Sequence, residues 1–190
     1  MRKRIYIIHG WDGYPEEGWF PWIKKELNGM GFETSVPAMP HPDHPTIDDW
    51  VGAMQTLINE PDERTYFIGH SIGCQTILRY IADLPISTQI GGVVMVGPWL
   101  TLSNVEDTAT AEPWLSTPIN FENVRKHTQK IEAIFSDNDP YVPLENVRLF
   151  EKNLECKTSI LHGKKHISGS DGITVLPEAV HKIIAMTAIK

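Results

Sequence analysis

The fold is decided by the stretch Tyr66-Phe67-Ile68-Gly69-His70-Ser71-Ile72-Gly73-Cys74, in which a short apolar run breaks into a Gly-His-Ser-Ile-Gly turn. Residues typical of strands precede the turn, and apolar residues at helical spacing follow it, so a strand is predicted to pass directly into a helix. The middle residue of such a turn has a strained backbone that pushes its side chain outward. We therefore predict that Ser71 is a nucleophile.

Two glycines, Gly69 and Gly73, stand two residues to either side of Ser71. In a turn this tight, these neighbours approach each other and the sheet so closely that only small side chains fit. The first N–H groups of the following helix and its positive dipole end then face the serine hydroxyl. Negative charge that develops at this position is stabilised.

The chain has 190 residues, of which 41% are hydrophobic. A chain of this length can form one hydrophobic core but is too short for two domains that each have a full core. We therefore expect a single domain over residues 1–190. There are 17 lysines and arginines against 24 aspartates and glutamates, a formal net charge of −7. Because this charge repels a phosphate backbone on average, nucleic acid is not an expected partner.

The start of the chain has the basic residues of a signal peptide but not its apolar core. Residues 5–8 form an apolar run of four, and no cleavage site follows it. No apolar stretch approaches the length of a membrane span. The two cysteines, Cys74 and Cys156, lack a disulfide or metal spacing, and free thiols suit a reducing compartment. We expect a cytoplasmic protein that does not bind membranes.

Six short apolar runs have the character of buried parallel strands, at residues 5–8, 34–36, 66–68, 93–96, 131–135 and 158–161. Helical patterns alternate with them at residues 19–30, 47–59, 72–84, 144–154 and 175–184. Thr46 and Asp49 have the spacing of a capping box before the second helix. The alternation predicts an α/β fold with helices on both faces of a mostly parallel six-stranded sheet.

A crevice is expected where the sheet changes direction. If the strands have the order 2-1-3-4-5-6, this point lies between the first and third strands, and ligands bind beyond the strand ends there. Those ends carry His9-Gly10-Trp11 and His70-Ser71-Ile72. A flavodoxin-like module has the same geometry, but its phosphate-binding loop would fall on the bulky residues 11–14. With no Walker or dinucleotide glycine motif in the sequence, no cofactor is expected.

A nucleophilic serine needs a base, and the base needs an orienting carboxylate. The chain offers Asp137 and Asp139 after the fifth predicted strand, and His162 and His166 after the sixth. Both loops lie at the sheet edge that carries Ser71, and the chain order of serine, aspartate and histidine matches hydrolases with this type of turn. His162 stands almost within the sixth strand, whereas His166 follows a loop that contains glycine.

These segments resemble a known family. The chain is similar to a small α/β-hydrolase, and more closely to the compact serine hydrolases related to retinoblastoma-binding protein 9. The resemblance spans nearly the whole chain and rests on His9-Gly10, Gly-His-Ser-Ile-Gly at 69–73, Asp-Pro-Tyr-Val-Pro at 139–143 and Gly-Lys-Lys-His at 163–166. It implies a three-layer α/β-hydrolase-like fold.

The resemblance also implies a catalytic triad of Ser71, Asp139 and His166. Asp139 is preferred to Asp137 because the family places its carboxylate just ahead of a two-residue step to Val-Pro, which leaves Asp137 as a turn-forming residue. His166 is preferred to His162 because the loop before it is similar to the family pattern.

A serine hydrolase also needs two N–H donors aimed at the developing oxyanion. We predict the backbone N–H of Ile72, immediately after the nucleophile, and that of Trp11, which follows the His9-Gly10 bend. Gly10 makes room for the approach. His9 is interpreted as a core or supporting imidazole rather than a catalytic one.

Larger α/β-hydrolases commonly insert a cap after the fourth strand. Here residues 97–129 are rich in proline and aromatic residues that interrupt any long helix, and a loop-rich segment of this length is more often functional than accidental. The segment is long enough to wall a pocket but too short for a separate cap domain. We expect a shallow site that prefers short acyl chains, with Trp99 and Trp114 as apolar contacts.

Two weaker features are interpreted as structural. Residues 41–45 include metal-capable side chains, but two prolines make the segment an extended loop, so no metal site is expected. Cys74, near the start of a helix, would suit a low-pKa thiol, although a small apolar helix residue is the preferred interpretation.

The leading hypothesis is a serine hydrolase that cleaves a small ester, thioester or amide through an acyl-serine intermediate. The alternative is a protein-binding module on a hydrolase fold, because a retained fold does not guarantee a retained activity. The apparently intact triad argues against this alternative, and the sequence indicates no protein partner.

Overall fold

The computed structural model describes residues 2–58 and 60–188. In these residues the strands are β1 (Arg4–Ile8), β2 (Glu33–Ser35), β3 (Thr65–His70), β4 (Gly92–Val96), β5 (Ile131–Ser136) and β6 (Lys157–Leu161). The helices are α1 (Phe20–Gly29), α2 (Ile47–Leu57), α3 (Ile72–Ala82), α4 (Thr108–Ser116), α5 (Phe121–His127), α6 (Glu145–Leu154) and α7 (Pro177–Ala188).

The strands form one sheet with the order β2-β1-β3-β4-β5-β6, and each neighbouring pair is parallel. Ile8 at the end of β1 lies opposite Gly69 of β3, and His70 at the end of β3 lies opposite Val96 of β4. The carboxyl ends of these three central strands therefore meet at one edge of the sheet. The strand order predicted from the sequence is confirmed.

Helices cover both faces of the sheet, because successive strand residues point to opposite sides. Phe67 belongs to the core that contains the buried residues of α2, α3, α5 and α6. Tyr66 and Ile68 belong to the core that contains those of α1 and α7. Each large apolar side chain that is fully buried in this way contributes about 1.5–3 kcal/mol. The predicted three-layer fold is confirmed.

The N-cap contact of the capping box predicted at α2 is present. Thr46 Oγ1 accepts a hydrogen bond from the Asp49 N–H at 3.1 Å and donates to Asp49 Oδ2 at 2.8 Å. This satisfies one of the N–H groups that a helix start leaves without a partner. The helix ends at Leu57, and its predicted end at Asn59 lies outside the described residues.

The segment between β4 and β5 differs from its prediction in part. It has no long helix in its described residues, as expected, but it forms α4 and α5, which were not predicted. The side chain of Asp107 caps α4 and that of Asn120 caps α5, each by accepting an N–H at 3.0 Å. Helix α5 packs against α3 and α6 within the helical layer. The segment therefore builds no separate cap domain.

None of the helices in residues 2–58 and 60–188 combines the length and the apolar character needed to cross a bilayer.

Candidate active site

Ser71 is the residue between β3 and α3, with a φ of 52° and a ψ of −122°. A residue with a side chain rarely adopts this conformation, which costs about 1–3 kcal/mol. The N–H of Ser71 donates to the Val96 carbonyl at 2.9 Å, so the turn is anchored to the end of β4. The strained strand-to-helix turn predicted from the sequence is present.

Close packing around this turn excludes side chains at both flanking glycines. A Cβ atom at Gly73 would lie 2.4 Å from the carbonyl oxygen of Ile8, and one at Gly69 would lie 2.8 Å from the backbone of Cys74. Both distances are shorter than real Cβ contacts allow. The turn can therefore approach β1 and α3 this closely only with glycine at both positions.

Asp139 and His166 form a pair shielded from solvent. His166 Nδ1 donates to Asp139 Oδ2 at 2.8 Å, and the side chains are 14% and 2% exposed. The other carboxylate oxygen, Oδ1, accepts the N–H groups of Tyr141 at 2.9 Å and Val142 at 3.0 Å. The carboxylate is thus fixed in one orientation, and it selects the tautomer in which Nε2 of His166 carries no proton.

Asp137 and His162 form a second pair of the same type. His162 Nδ1 donates to Asp137 Oδ2, but the His162 side chain is 96% exposed. Asp137 also accepts the Gly163 N–H at 2.8 Å. This N–H and, after it, the His162 hydrogen bond lower the pKa of Asp137. The pair holds a surface turn, in agreement with the turn-forming interpretation of Asp137.

Ser71 and His166 line one cavity of about 930 Å³ at the carboxyl edge of the sheet. Its wall comes from three segments, which lie within residues 10–18, 99–107 and 166–174, with additional contacts from Asp43, His70, Pro140 and Tyr141. The volume is near the upper end of the range of about 300–1,000 Å³ for ligand pockets. The expected shallowness of the site and its preference for short acyl chains stay predictions.

Trp99 contributes to this cavity, as predicted, and it also contacts the serine. Its indole Nε1 donates to Ser71 Oγ at 3.3 Å, and the residue is 1% exposed. Among the described residues, Trp99 is the hydrogen-bond partner of Ser71 Oγ, and His166 is not. The sequence prediction included an apolar contact from Trp99 but not this polar one.

The two predicted oxyanion donors lie beside Ser71. Ile72 is the first residue of α3, so its N–H has no partner within the helix. Trp11 lies in the loop after β1, lines the cavity and donates from its indole Nε1 to the Asp43 carbonyl at 3.0 Å. A Cβ at Gly10 would lie 3.4 Å from the Ser71 Cβ, so the loop and the turn are in close contact. The role of both N–H groups stays a prediction.

Comparison with known proteins adds a second line of evidence. The sequence model of a family described as serine hydrolase matches residues 5–184. The chain belongs to the serine hydrolase family.

Two relatives illustrate how far the similarity extends. YdeN of Bacillus subtilis is 26% identical over 177 residues, which are 93% of this hydrolase and 92% of YdeN. The serine hydrolase RBBP9 of Rattus norvegicus is 24% identical over 155 residues, which are 81% of this chain and 80% of that protein. The resemblance stated from the sequence motifs is confirmed.

Solved structures share the fold of this hydrolase. The ydeN gene product of B. subtilis has a TM-score of 0.91 at 24% identity, with 98% of this chain and 100% of that chain covered. Est1E from Butyrivibrio proteoclasticus has a TM-score of 0.74 at 18% identity, with 98% and 90% covered. The α/β-hydrolase fold predicted from the sequence is confirmed.

His70 is a residue of the hydrolase to which the sequence assigned no role. Its Nε2 donates to the carbonyl of His166 at 2.9 Å, and Trp19 Nε1 donates to the next carbonyl, that of Ile167, at 2.9 Å. The backbone there is strained, because Lys165 and Ile167 have φ values of 47° and 55°. Burial, and then the charge of His166, lower the pKa of His70 to about 3. A neutral His70 thus holds the loop that carries His166.

His9 is satisfied within the fold of the hydrolase. Its Nδ1 donates to the Gly10 carbonyl at 2.8 Å, and its Nε2 accepts the N–H of Met39 at 3.0 Å. Burial lowers the pKa of this imidazole, which favours the neutral form that such bonding requires. These contacts fit the supporting role predicted for His9.

Trp114 requires a correction, because it does not line the cavity around Ser71. Its indole Nε1 donates to the Pro45 carbonyl at 2.9 Å, and its ring packs against Trp50 and beneath the guanidinium of Arg79. The residue is 2% exposed and belongs to the core beside α2 and α3. The predicted pocket contact at Trp114 is therefore wrong.

The remaining alternatives concern a thiol and a metal. Cys74 is fully buried in α3, and this burial raises the pKa of its thiol, which contradicts a low-pKa thiol. In the part of the chain that the structure describes, no three His, Cys, Asp or Glu side chains are grouped as metal ligands.

Proposed function

We propose that this serine hydrolase cleaves a small ester, thioester or amide, with Ser71 as nucleophile, His166 as general base and Asp139 as the orienting carboxylate. The observation that carries the proposal is the largely shielded Asp139–His166 pair, whose histidine lines the same cavity as the strained Ser71. The carboxylate leaves the Nε2 atom of His166 able to accept a proton. This is the arrangement that acyl transfer through serine needs.

In the first half of the proposed reaction, Ser71 Oγ forms a bond to the acyl carbon while its proton passes to His166 Nε2. The N–H groups of Trp11 and Ile72 donate to the oxyanion. The bond to the leaving group then breaks, and the leaving group takes the proton from His166. A hydrogen bond between Ser71 and His166 is needed for this step, and such bonds often tighten only when substrate binds.

In the second half, a water molecule gives a proton to His166 Nε2 and its oxygen attacks the acyl carbon. The bond between the acyl carbon and Ser71 Oγ breaks, and the proton returns to the serine oxygen. The products are a carboxylic acid and the alcohol, thiol or amine released earlier. Every proton in this scheme moves through His166, so no further acid or base is required.

The proposed substrate is a small molecule with an acyl group that reaches Ser71 through the cavity. Trp99, Leu102 and Val105 supply apolar contacts on one side, and the loop over residues 168–171 supplies polar groups on another. A cytoplasmic location and the lack of nucleic-acid and membrane partners stay predictions from the sequence.

Covalent labelling and kinetics of Ser71→Ala test the proposal. A fluorophosphonate probe should label the wild-type protein, and Ser71→Ala should lose both labelling and hydrolysis, with a loss of about 10⁶ in kcat as in comparable serine hydrolases. Substrates should be esters, thioesters and amides of increasing acyl length, which also test the preference for short chains. Ser159→Ala, in β6 and away from the cavity, is the control and should be labelled normally.

Two outcomes would contradict the proposal. Hydrolysis by pure Ser71→Ala within about tenfold of the wild-type rate would show that another group is the nucleophile. Folded wild-type protein that is neither labelled nor active on any substrate would favour the binding module instead.

A further inference from the structure

We infer that the indole N–H of Trp99 is a catalytic hydrogen-bond donor to the nucleophile oxygen, Ser71 Oγ. The contact is the 3.3 Å hydrogen bond from Trp99 Nε1 to Ser71 Oγ. The inference rests on the proposed function, because it requires Ser71 to be the nucleophile. It adds a donor to the two backbone N–H groups that face the oxyanion.

The direction of this hydrogen bond determines where the serine proton can point. An indole N–H donates and cannot accept, so Ser71 Oγ has to be the acceptor in this contact. The hydroxyl proton is therefore directed away from Trp99. The imidazole of His166, which borders the same cavity and whose Nδ1 is bonded to Asp139, is the base that receives it. An acceptor in place of the indole would instead compete with His166 for this proton.

The backbone of Trp99 is held by the same helix that begins beside Ser71. Gln75 in α3 donates from Nε2 to the Trp99 carbonyl at 3.1 Å. The Oε1 of Gln75 accepts from Arg79 at 3.1 Å, and Arg79 in turn donates to the Thr117 carbonyl at 2.7 Å. Gln75 and Arg79 are both buried. Helix α3 therefore holds the backbone of Trp99 and begins next to Ser71, and the buried indole lies between them within hydrogen-bond distance of Ser71 Oγ.

The indole N–H acts on the charge that develops at Oγ in both halves of the reaction. As the Ser71 proton moves to His166, negative charge grows on Oγ before the bond to the acyl carbon is complete. The same oxygen regains negative charge when the acyl-enzyme breaks down. A hydrogen bond to an oxygen strengthens as that oxygen becomes charged, so the donor stabilises both transition states more than the ground states. Because it contacts the enzyme and not the substrate, it contributes little to substrate binding.

Trp99→Phe tests this inference, since it keeps an aromatic ring and removes the N–H. The expected result is a fall of about 10-fold to 100-fold in kcat and in the rate of fluorophosphonate labelling, the effect of losing one hydrogen bond to a charged group. Because both half-reactions slow together, KM should stay within about threefold of the wild-type value. Trp50→Phe is the matched control, because Trp50 is buried and donates from Nε1 to the Pro40 carbonyl at 2.7 Å, away from Ser71. Its kcat should change by less than about twofold.

A second variant separates the N–H from the shape of the ring. Replacing Trp99 with benzothienylalanine, which has sulfur in place of the indole N–H and almost the same outline, should reproduce the loss seen with Trp99→Phe. If this isostere matches the wild-type kcat, the N–H has no catalytic role and the inference is overturned, whatever the Phe variant shows. If Trp99→Phe does not fold, the isostere alone decides the question. Failure of the proposed function is distinct, because either Ser71→Ala would then remain active or the wild-type protein would itself show neither labelling nor hydrolysis.

Discussion

His166 donates a 2.8 Å hydrogen bond from Nδ1 to Oδ2 of Asp139, in a position where both side chains are largely shielded from solvent. His162 makes the same type of bond to Asp137, but its side chain lies in solvent. The two aspartates come from one loop and the two histidines from the other. The chain therefore contains an internal control for the effect of an Asp–His pair, because the two pairs share loops and chemistry and differ in burial.

We predict that Asp139→Asn reduces kcat by roughly 10³-fold to 10⁴-fold, because an amide can present its N–H to His166 and so favour the wrong tautomer. Asp137→Asn should change kcat by less than about threefold, because an exposed pair is screened by water. Steady-state kinetics on both purified variants, with circular dichroism to show that each is folded, make the comparison. A larger loss at Asp137 would mean that the surface pair supplies the base, and equal losses would contradict the different roles given to the two aspartates.

The sequence predicted most of the sheet and its site because these depend on local signals. Gly69 and Gly73 identify the turn at Ser71, and the loops after β5 and β6 follow from the strand pattern. The choice between Asp137 and Asp139 came from the family resemblance, since spacing alone does not show which carboxylate is buried.

The features that the sequence did not predict depend on long-range packing. Helical periodicity does not tell which side of the segment after β4 faces the cavity, so Trp99 and Trp114 could not be distinguished. The role of His70 depends on a loop with positive φ values at Lys165 and Ile167, which are not glycines. Asp107 and Asn120 were available in the sequence as helix caps, but Pro98 before them and two prolines between them obscured the two short helices.

His70 should make the folded state sensitive to acid. Its pKa is lowered from 6.5 to about 3, mainly by burial and then by the charge of His166, while the charges of Asp139 and Asp171 oppose the shift. In the unfolded chain His70 binds a proton below about pH 6.5, whereas in the folded chain it does not until about pH 3. Its contribution to stability is therefore complete above pH 6.5 and is lost as the pH falls toward 3.

His70→Asn removes this titration, and because its shorter side chain does not reach the His166 carbonyl, it also removes a hydrogen bond, a loss that lowers the stability of the variant at every pH. We predict a pH-dependent difference between the unfolding free energy of the wild type and that of the variant. As the pH is lowered from 6 to 4, this difference should decrease by about 1.4 kcal/mol per pH unit over much of the interval. Urea denaturation at a series of pH values measures this difference. His181→Asn in α7 is the control, because it makes the same substitution at an exposed histidine and leaves the buried His70 in place. A pH-independent difference for His70→Asn would show that the buried imidazole is not held neutral.

The cavity around Ser71 has a strongly negative wall. In the described part of the chain its lining includes six carboxylates and no lysine or arginine. They are Asp12, Glu17, Asp43, Glu106, Asp107 and Asp171. Lys165 lies 3.8 Å from Asp171 and compensates part of this charge. Glu17 is partly buried and accepts the Gly169 N–H at 3.3 Å. Burial raises the pKa of this carboxyl. Because less water surrounds Glu17 than the exposed carboxylates, its charge is screened less.

We predict that an ester whose acyl group ends in a carboxylate is hydrolysed at least about tenfold more slowly than a neutral ester of equal length, because like charges repel within the cavity. The kcat/KM values of the two esters should be compared at about pH 8, where carboxylates are ionised. Their ratio should approach one as salt screens the carboxylates of the cavity. Glu17→Gln keeps the acceptor for the Gly169 N–H and removes one charge, so it should also bring the kcat/KM values of the two esters closer together. Glu16→Gln is the matched control, because Glu16 is exposed, does not line the cavity and carries the same charge one residue earlier. If neither salt nor Glu17→Gln changes the ratio of the two kcat/KM values, or if the carboxylate ester is preferred, these carboxylates do not control access to Ser71.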